Sequence, residues 1–496
     1  MITLGIDCGT QSLKIVALDG ESGKIIASAT KSYGLVEGLP SGHLEQDPAV
    51  WWEALEETVQ SVLGDLGSRR AQVVGIGVSG QQHGFVPLDA NHHVIRPAKL
   101  WCDTSTTAQC DEIRAKLGGR EKIIALAGND ILPGFTAPKI LWLKQNEPTN
   151  FARLAHVALP HDFLNLRLTG TLHMEFGDAS GTALLDVSAR QWSREICDAI
   201  DENLISKLPP VGSSTEPVGK LLPALATAWG LSASVIISAG GGDNMMAAIG
   251  TGNIRPGTVT ASLGTSGTIF ACASRPVIDP EGEIAAFCDS ADHWMPLLCT
   301  MNVTVATEAF RKLFSWDHDR MDMEISSVPK GAGGLVFLPY LQGERTPNLP
   351  DGCGVLHGMN GSNLTPAYIA RAAMEGVTLG MAYGLRRMES LGLHPSEIRL
   401  TGGGSKSSVW RQMLADIFGH PVVTMQSAEG AALGAAIQAL AAAASDRSLP
   451  VLSDLCVPIA EGSRLEPSQE FDYSSLLETH SRLARQIFCE FPAGKK

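Results

Sequence analysis

Ile2-Thr3-Leu4-Gly5-Ile6-Asp7-Cys8-Gly9-Thr10-Gln11-Ser12-Leu13-Lys14-Ile15-Val16-Ala17-Leu18 opens the chain, and the architecture is read outward from it. Ile2 to Ile6 reads as a strand, Asp7-Cys8-Gly9-Thr10 as a turn, and Ile15 to Leu18 as a second strand. Asp19-Gly20 and Ile25-Ile26-Ala27 add a third. Connections this short make the three strands antiparallel neighbours. Asp47-Pro48 then opens a helix with an apolar face of Val50, Trp51, Leu55, Val59, Val62 and Leu63. A buried strand, Val73 to Val78, runs into Ser79-Gly80-Gln81-Gln82-His83-Gly84. That order predicts a mixed sheet with helices packed on it.

The same pattern starts again further on. Val235 to Ser238 reads as a strand that stops at Gly240-Gly241-Gly242-Asp243-Asn244. Thr258 to Leu263, the turn Gly264-Thr265-Ser266-Gly267 and Thr268-Ile269-Phe270 then repeat strand, small-residue turn, strand. A long helix is expected over Thr365 to Leu391, a short strand over Ile398 to Thr401, and a last helix over Glu429 to Ala443. A chain of 496 residues exceeds one ordinary core, so two domains are expected, 1–250 and 251–496.

Three turns carry phosphate-binding chemistry. At Asp7–Ser12 a glycine lets backbone N–H groups approach phosphate oxygens, Thr10 or Ser12 adds a hydroxyl donor, and Asp7 suits a hydrated Mg²⁺. An ordinary hairpin wants the same residues, so this turn alone decides nothing. Gly264-Thr265-Ser266 repeats the chemistry in the second unit, and a pair of such turns fits the two sides of a polyphosphate. Gly402-Gly403-Gly404-Ser405, between a strand and a helix, exposes backbone for a flat ligand. It matches neither the P-loop nor the dinucleotide fingerprint, and a plain tight turn is the alternative. Asp243 stands at a strand end before a helix, where a carboxylate can accept the proton of an alcohol under phosphorylation. An N-cap would explain Asp243, but not the three glycines before it. Gln82 and His83 suit hydroxyl recognition, because each donates and accepts. Trp101 and Asp103 offer an aromatic face and a carboxylate to a sugar.

Taken together, these residues resemble the FGGY carbohydrate kinase family of the actin-like ATPase superfamily. Asp7-Cys8-Gly9-Thr10 with Lys14, and Leu263-Gly264-Thr265-Ser266, are similar to its two phosphate motifs. Thr401 to Ser407 followed by Trp410-Arg411-Gln412 is similar to its adenosine segment. Phe135 to Leu143 and Pro339 to Pro347 are similar to two further signatures, and the match runs in order from residue 2 to about 440. The resemblance implies an α/β fold of two actin-like, ribonuclease H-like domains with the active site in the cleft between them. It implies ATP held by Asp7, Gly9, Thr10, Gln11, Ser12, Lys14, Gly264, Thr265, Ser266 and Gly402 to Ser405. Mg²⁺ would sit at Asp7, with Asp243 as a second candidate ligand. Ser79 to Gly84 with Gly242-Asp243-Asn244 is most similar to the family's xylulokinase branch. That likeness implies sugar contacts from His83, Asp243 and Asn244, with Asp243 as the base at the C5 hydroxyl, and Gln82 and Asp103 are expected beside them. Bacterial members often carry Met where this chain has Gln82, which opens the pocket to another ketose or a polyol.

The totals agree with a small-molecule enzyme. The chain is 44% apolar and 18% charged, with a formal charge of −14, which disfavours nucleic acid and anionic membrane as partners. Ten cysteines without zinc-knuckle spacing, an alternating stretch from Met1 to Leu18 that carries Asp7 and Lys14, and no apolar run near twenty residues predict a cytoplasmic protein with reduced thiols. A homodimer is compatible with this reading. An actin-like filament or chaperone ATPase shares the paired turns, but leaves the polar set at Gln82, His83, Asp243 and Asn244 without a ligand.

Overall fold

The computed structural model describes residues 1–427, 429–444 and 446–490. Its first half is built on a seven-stranded mixed sheet. The strands are β1 (Ile2–Cys8), β2 (Ser12–Asp19), β3 (Lys24–Ser32), β4 (Val73–Gly80), β5 (Gly219–Lys220), β6 (Ile236–Ile237) and β7 (Gly241–Gly242). Their order is β5-β6-β4-β1-β2-β3, with β7 continuing beside the end of β4. β1, β2 and β3 are antiparallel, whereas β1 and β4 are parallel. Helices α1 (Pro48–Leu66), α2 (Thr136–Asn146), α3 (Pro160–Thr169) and α4 (Asp243–Gly250) belong to this half. Asp47 caps α1 by accepting from the Ala49 N–H, and Trp51, Leu55, Val59, Val62 and Leu63 join the core of the first sheet.

The second half repeats the scheme in six strands. These are β8 (Thr258–Leu263), β9 (Gly267–Ala271), β10 (Ala285–Cys288), β11 (Trp294–Thr300), β12 (Glu397–Thr401) and β13 (Val422–Thr424). Again three antiparallel neighbours, β8, β9 and β11, are followed by a parallel partner, β12, beside β8. Helices α5 (Thr304–Leu313), α6 (Pro366–Ser390), α7 (Ser408–Phe418) and α8 (Ala431–Ala443) are among those that follow β11 in sequence. The strand order of β8, β9, β11 and β12 thus repeats that of β1, β2, β3 and β4, as the two hairpin patterns predict.

Two features differ from the expected division. α8 follows the second sheet in sequence but lies on the first, where a Cβ on Gly5 would stand 1.9 Å from the Ala432 carbonyl and one on Gly77 2.1 Å from that of Ala435. Only hydrogen fits at those two strand positions, so the helix backbone rests directly on the sheet. β9, β10 and β11 likewise share a core with the first half, in which Phe270, Phe287 and Leu297 pack with Phe85, Phe135 and Ile140. Among the described residues no helix is long and apolar enough to cross a membrane.

Candidate active site

β1 runs two residues beyond the predicted strand. Asp7 pairs with Lys14 and Cys8 with Leu13 across the hairpin, so the turn is Gly9-Thr10-Gln11 and Asp7 is the penultimate residue of the strand. Register then aligns three strand ends. Asp7 lies beside Ser79 of β4, and Ser79 lies beside Gly241 of β7, two residues before Asp243. The Ser79 hydroxyl donates to Asp7 Oδ1 at 3.0 Å. Asp243 Oδ1 accepts from the Asn244 N–H at 2.8 Å and from Asn244 Nδ2 at 3.0 Å. Gly242, not Asp243, occupies the N-cap of α4, so capping does not account for the carboxylate.

The glycine run has a steric cause. A Cβ on Gly240 would meet the Val78 carbonyl at 2.5 Å, one on Gly241 the Ser290 Oγ at 2.2 Å, and one on Gly242 the Gln82 Cγ at 2.6 Å. The glycines therefore let the backbone thread between β4 and its neighbours, and ligand approach is not needed to explain them. Neither Gly9 nor Gly264 has positive φ, so neither turn needs glycine for its backbone conformation. What they supply is room, with nothing closer to a Cβ than the Ser12 carbonyl at 3.4 Å and the Ser266 carbonyl at 3.2 Å.

Burial pushes the Asp243 carboxyl up to about 7, and the charge of Asp7 adds to the effect. Burial likewise raises Asp7 to about 6, with Glu429 pushing the same way and the Ser79 hydrogen bond opposing it. Two neighbouring carboxylates whose ionisation burial opposes suit a divalent cation, which would relieve both at once. Lys14 is engaged with Glu429, a residue the sequence did not single out, which enters from just before α8.

The sugar-side residues form a connected set. Gln82 Oε1 accepts from Asn244 Nδ2 at 2.9 Å, while Gln82 Nε2 is buried without a partner among the described residues. His83 has φ +65°, and Lys139 Nζ on α2 binds its carbonyl at 2.8 Å. His83 Nδ1 donates to the Gly181 carbonyl at 2.5 Å, which leaves Nε2 as an acceptor. Burial drives His83 down to about 3, helped by the Lys139 charge, so the ring is neutral. It stacks on Phe135 at 4.5 Å, and Phe287 of the second sheet stands 6.0 Å away. An unpartnered amide donor and an imidazole acceptor beside a carboxylate recognise adjacent hydroxyls well. Beneath them, Asp162 and Asp178 flank His161 at 3.0 and 2.7 Å. Burial opposes its charge, but the two carboxylates hold His161 well above its ordinary range.

Two predicted contacts have other tasks. Asp103 is fully buried, and its oxygens accept from the Leu44 N–H, Lys99 Nζ, and both the N–H and hydroxyl of Ser105. With every lone-pair direction taken, Asp103 supports the Lys99 cluster and has none to offer a sugar. The Thr10 hydroxyl donates to Gln81 Oε1 at 3.1 Å and accepts from Trp101 Nε1 at 2.9 Å, so its proton is not free for a phosphate. Trp101 remains 40% exposed beside the first turn. Gln46, missed in the sequence, ties that turn down by donating to the Thr10 carbonyl at 2.7 Å.

The second turn is held by α5, where the Val303 and Thr304 N–H groups donate to the Thr265 and Gly264 carbonyls at 3.1 and 3.0 Å. Thr265 and Ser266 are exposed. Gly402, at φ +84°, leaves no space for a Cβ against the Leu263 backbone, so the third turn abuts the second. A cavity of about 560 Å³ opens there, lined by Thr304, His318, Met374, Gly403, Gly404 and Trp410. Its size and mixed lining suit a nucleoside. β9, which the second turn opens, shares an apolar core with the first half, where Phe270 packs among Phe85, Phe135 and Ile140.

The N-terminal domain model of the FGGY family of carbohydrate kinases matches residues 2–250, and the C-terminal domain model matches residues 259–443. The chain belongs to the FGGY family of carbohydrate kinases. It is 41% identical to the xylulose kinase of Haemophilus influenzae, over 98% of this chain and 100% of that one. It is 36% identical to the xylulose kinase of Escherichia coli, over 98% and 99% of the two chains. Among solved structures, a "xyloylose kinase" from Brucella ovis superposes with a TM-score of 0.89 at 32% identity, covering 99% of both chains. As a member of this family the protein is a sugar phosphotransferase that uses ATP and a divalent metal ion.

Proposed function

We propose that the protein transfers the γ-phosphoryl group of MgATP to O5 of D-xylulose, giving D-xylulose 5-phosphate and ADP. The observation that carries this reading is the linked set Gln82–Asn244–Asp243 beside His83, in a chain that aligns end to end with xylulose kinases. His83 Nε2 and Gln82 Nε2 accept from and donate to the sugar hydroxyls, and Asn244 holds the Asp243 carboxylate toward the acceptor. As O5 approaches the γ-phosphorus in line, Asp243 takes its proton. The O5–P bond forms, the bond from Pγ to the bridging oxygen breaks, and ADP leaves with that electron pair. Gln11, Ser12, Gly264, Thr265 and Ser266 bind the phosphates chiefly through backbone N–H groups and the free hydroxyls, with Thr10 contributing its backbone and Gly9, whose N–H is held by the Ser12 carbonyl at 3.0 Å, contributing room. Lys14 adds a cation, and Gly402 to Ser405 receive the nucleoside. Asp7, with Asp243 beside it, would hold Mg²⁺, which neutralises phosphate charge when bound. Residues 1–250 and 251–496 are read as the two jaws, and the enzyme as cytoplasmic.

The test is a coupled ADP-release assay over D-xylulose, D-ribulose, L-xylulose, glycerol, gluconate and heptuloses, with product position read by NMR. D-Xylulose should have the highest kcat/KM, and phosphate should appear on C5. Tighter turnover of a polyol or a different ketose would overturn the choice of sugar and point to Gln82 as the cause.

A further inference from the structure

The segment Gly343-Glu344-Arg345-Thr346 joins the second half at the end of its sheet where the phosphate turn lies. Glu344 is buried, and its Oε1 accepts from the Met301 N–H at 2.6 Å and the Arg345 N–H at 2.8 Å. Its Oε2 accepts from Asn302 Nδ2 at 3.1 Å, and the same Nδ2 reaches the Gly343 carbonyl at 2.7 Å. Thr346 Oγ1 donates to the Glu283 carbonyl at 3.3 Å. Met301 and Asn302 directly follow β11, whose Thr300 and Cys299 pair with Gly267 and Thr268 at the start of β9. The backbone of Arg345 is therefore stapled beside Gly264-Thr265-Ser266.

The side chain that leaves this root, Arg345, is exposed. Arg311, Arg371 and Arg387 of the same half are paired with Glu308, Glu375 and Asp279. Arg345 has no such carboxylate among the described residues. Its charge reaches two places: it bears on the Cys299 thiol, which also feels Asp243, and it lowers the neutral ring of His83 further. The backbone anchor therefore sets this cation beside Gly264-Thr265-Ser266, where the reading above seats phosphate. An exposed arginine is ordinarily a solvated surface group. A buried carboxylate that fixes its backbone N–H beside the second turn is not what solvation requires.

We propose that Arg345 is a catalytic residue whose guanidinium meets the equatorial oxygens of the phosphoryl group as it passes from ADP to the sugar. It rests on the kinase reading above and adds the charge that reading lacks on the second half's side. Negative charge gathers on those oxygens as the bridging P–O bond breaks and the new O–P bond forms. A planar fork of donors fits them better there than in the bound substrates. The group should therefore act on kcat more than on ground-state affinity.

The experiment compares Arg345→Ala and Arg345→Lys with the wild type in kcat, both KM values, nucleotide affinity by calorimetry, and binding of ADP–aluminium fluoride in the presence of sugar. Arg345→Ala should lose about 10²–10³-fold in kcat and at least tenfold in aluminium fluoride complex affinity, with the ADP Kd changed less than about threefold. Arg345→Lys should recover part of both. A kcat within threefold of wild type, or a loss of ADP affinity that matches the loss of kcat, overturns the proposal. If the wild type prefers a sugar other than D-xylulose, the choice of sugar falls while the series, run on that sugar, still decides the role of Arg345. The aluminium fluoride arm needs no turnover at all.

Discussion

Asp243 is a carboxylate that its surroundings keep from ionising, with burial first and the Asp7 charge second lifting it to about 7. A base must be ionised to work, so kcat/KM should fall as pH drops below about 7, reporting the free enzyme. Asp243→Ala should lose roughly 10²–10⁴-fold in turnover while still binding nucleotide in calorimetry. The same shift bears on stability. A carboxyl raised from 3.8 to about 7 in the folded state contributes stability fully below pH 4, and that contribution is lost as pH rises through 7. Asp243→Asn, which cannot ionise, should thus gain in Tm relative to wild type at pH 8, by about 2 °C, and show no such gain at pH 4.5. Equal differences at the two pH values would contradict the shift. These residues were legible in the sequence because a carboxylate at a strand end and a Gln-His pair after a strand are local patterns. Asp103 was misread because the groups that satisfy it include Lys99 and the backbone of Leu44, and only the fold brings Leu44 there. Glu429 and Gln46 left no local signal, since each acts on a turn distant in sequence.

The elements were legible where short-range chemistry makes them. Both hairpins were visible from alternating residues around a small-residue turn, and α1 from Asp47-Pro48 and its apolar stripe. Strand ends were set too short at β1 because Asp7 and Cys8 are polar or small, yet they pair with Lys14 and Leu13. The seat of α8 was not legible, because an Ala-rich helix carries no mark of which sheet it covers. Its seat depends on missing side chains at Gly5 and Gly77. Gly77→Ala should therefore destabilise by about 1–3 kcal/mol or more in urea unfolding, since its Cβ would stand 2.1 Å from the Ala435 carbonyl and neither backbone can yield cheaply. Gly64→Ala in α1 is the control, because nothing lies within 4 Å of that Cβ and the change should stabilise by about 0.5–1 kcal/mol. Equal tolerance of the two substitutions would mean that α8 does not rest on β4.

At the scale of the whole molecule, the two sheets repeat one strand order but do not stand apart. α8 crosses from the second half to the first sheet, and β10 and β11 share an apolar core with Phe85, Phe135 and Ile140. A continuous core couples the stability of the parts that form it, because exposing either side gives apolar surface of the other to water. The halves should consequently unfold together. In urea, hydrogen exchange read separately on β4 and β8 should show one midpoint for both, where independent domains would show two. Phe287 is the side chain to remove, since it lies in this core and also 6.2 Å from Phe135 and 6.0 Å from His83. Truncating a buried Phe costs about 3–5 kcal/mol, and here the loss falls on the seam between the halves. Phe287→Ala should accordingly separate the two midpoints and raise the KM for sugar more than that for ATP, because His83 loses an aromatic neighbour while Gly402–Ser405 keep theirs. Coincident midpoints in the variant, with both KM values unchanged, would mean that the seam couples neither the stability of the halves nor the sugar pocket.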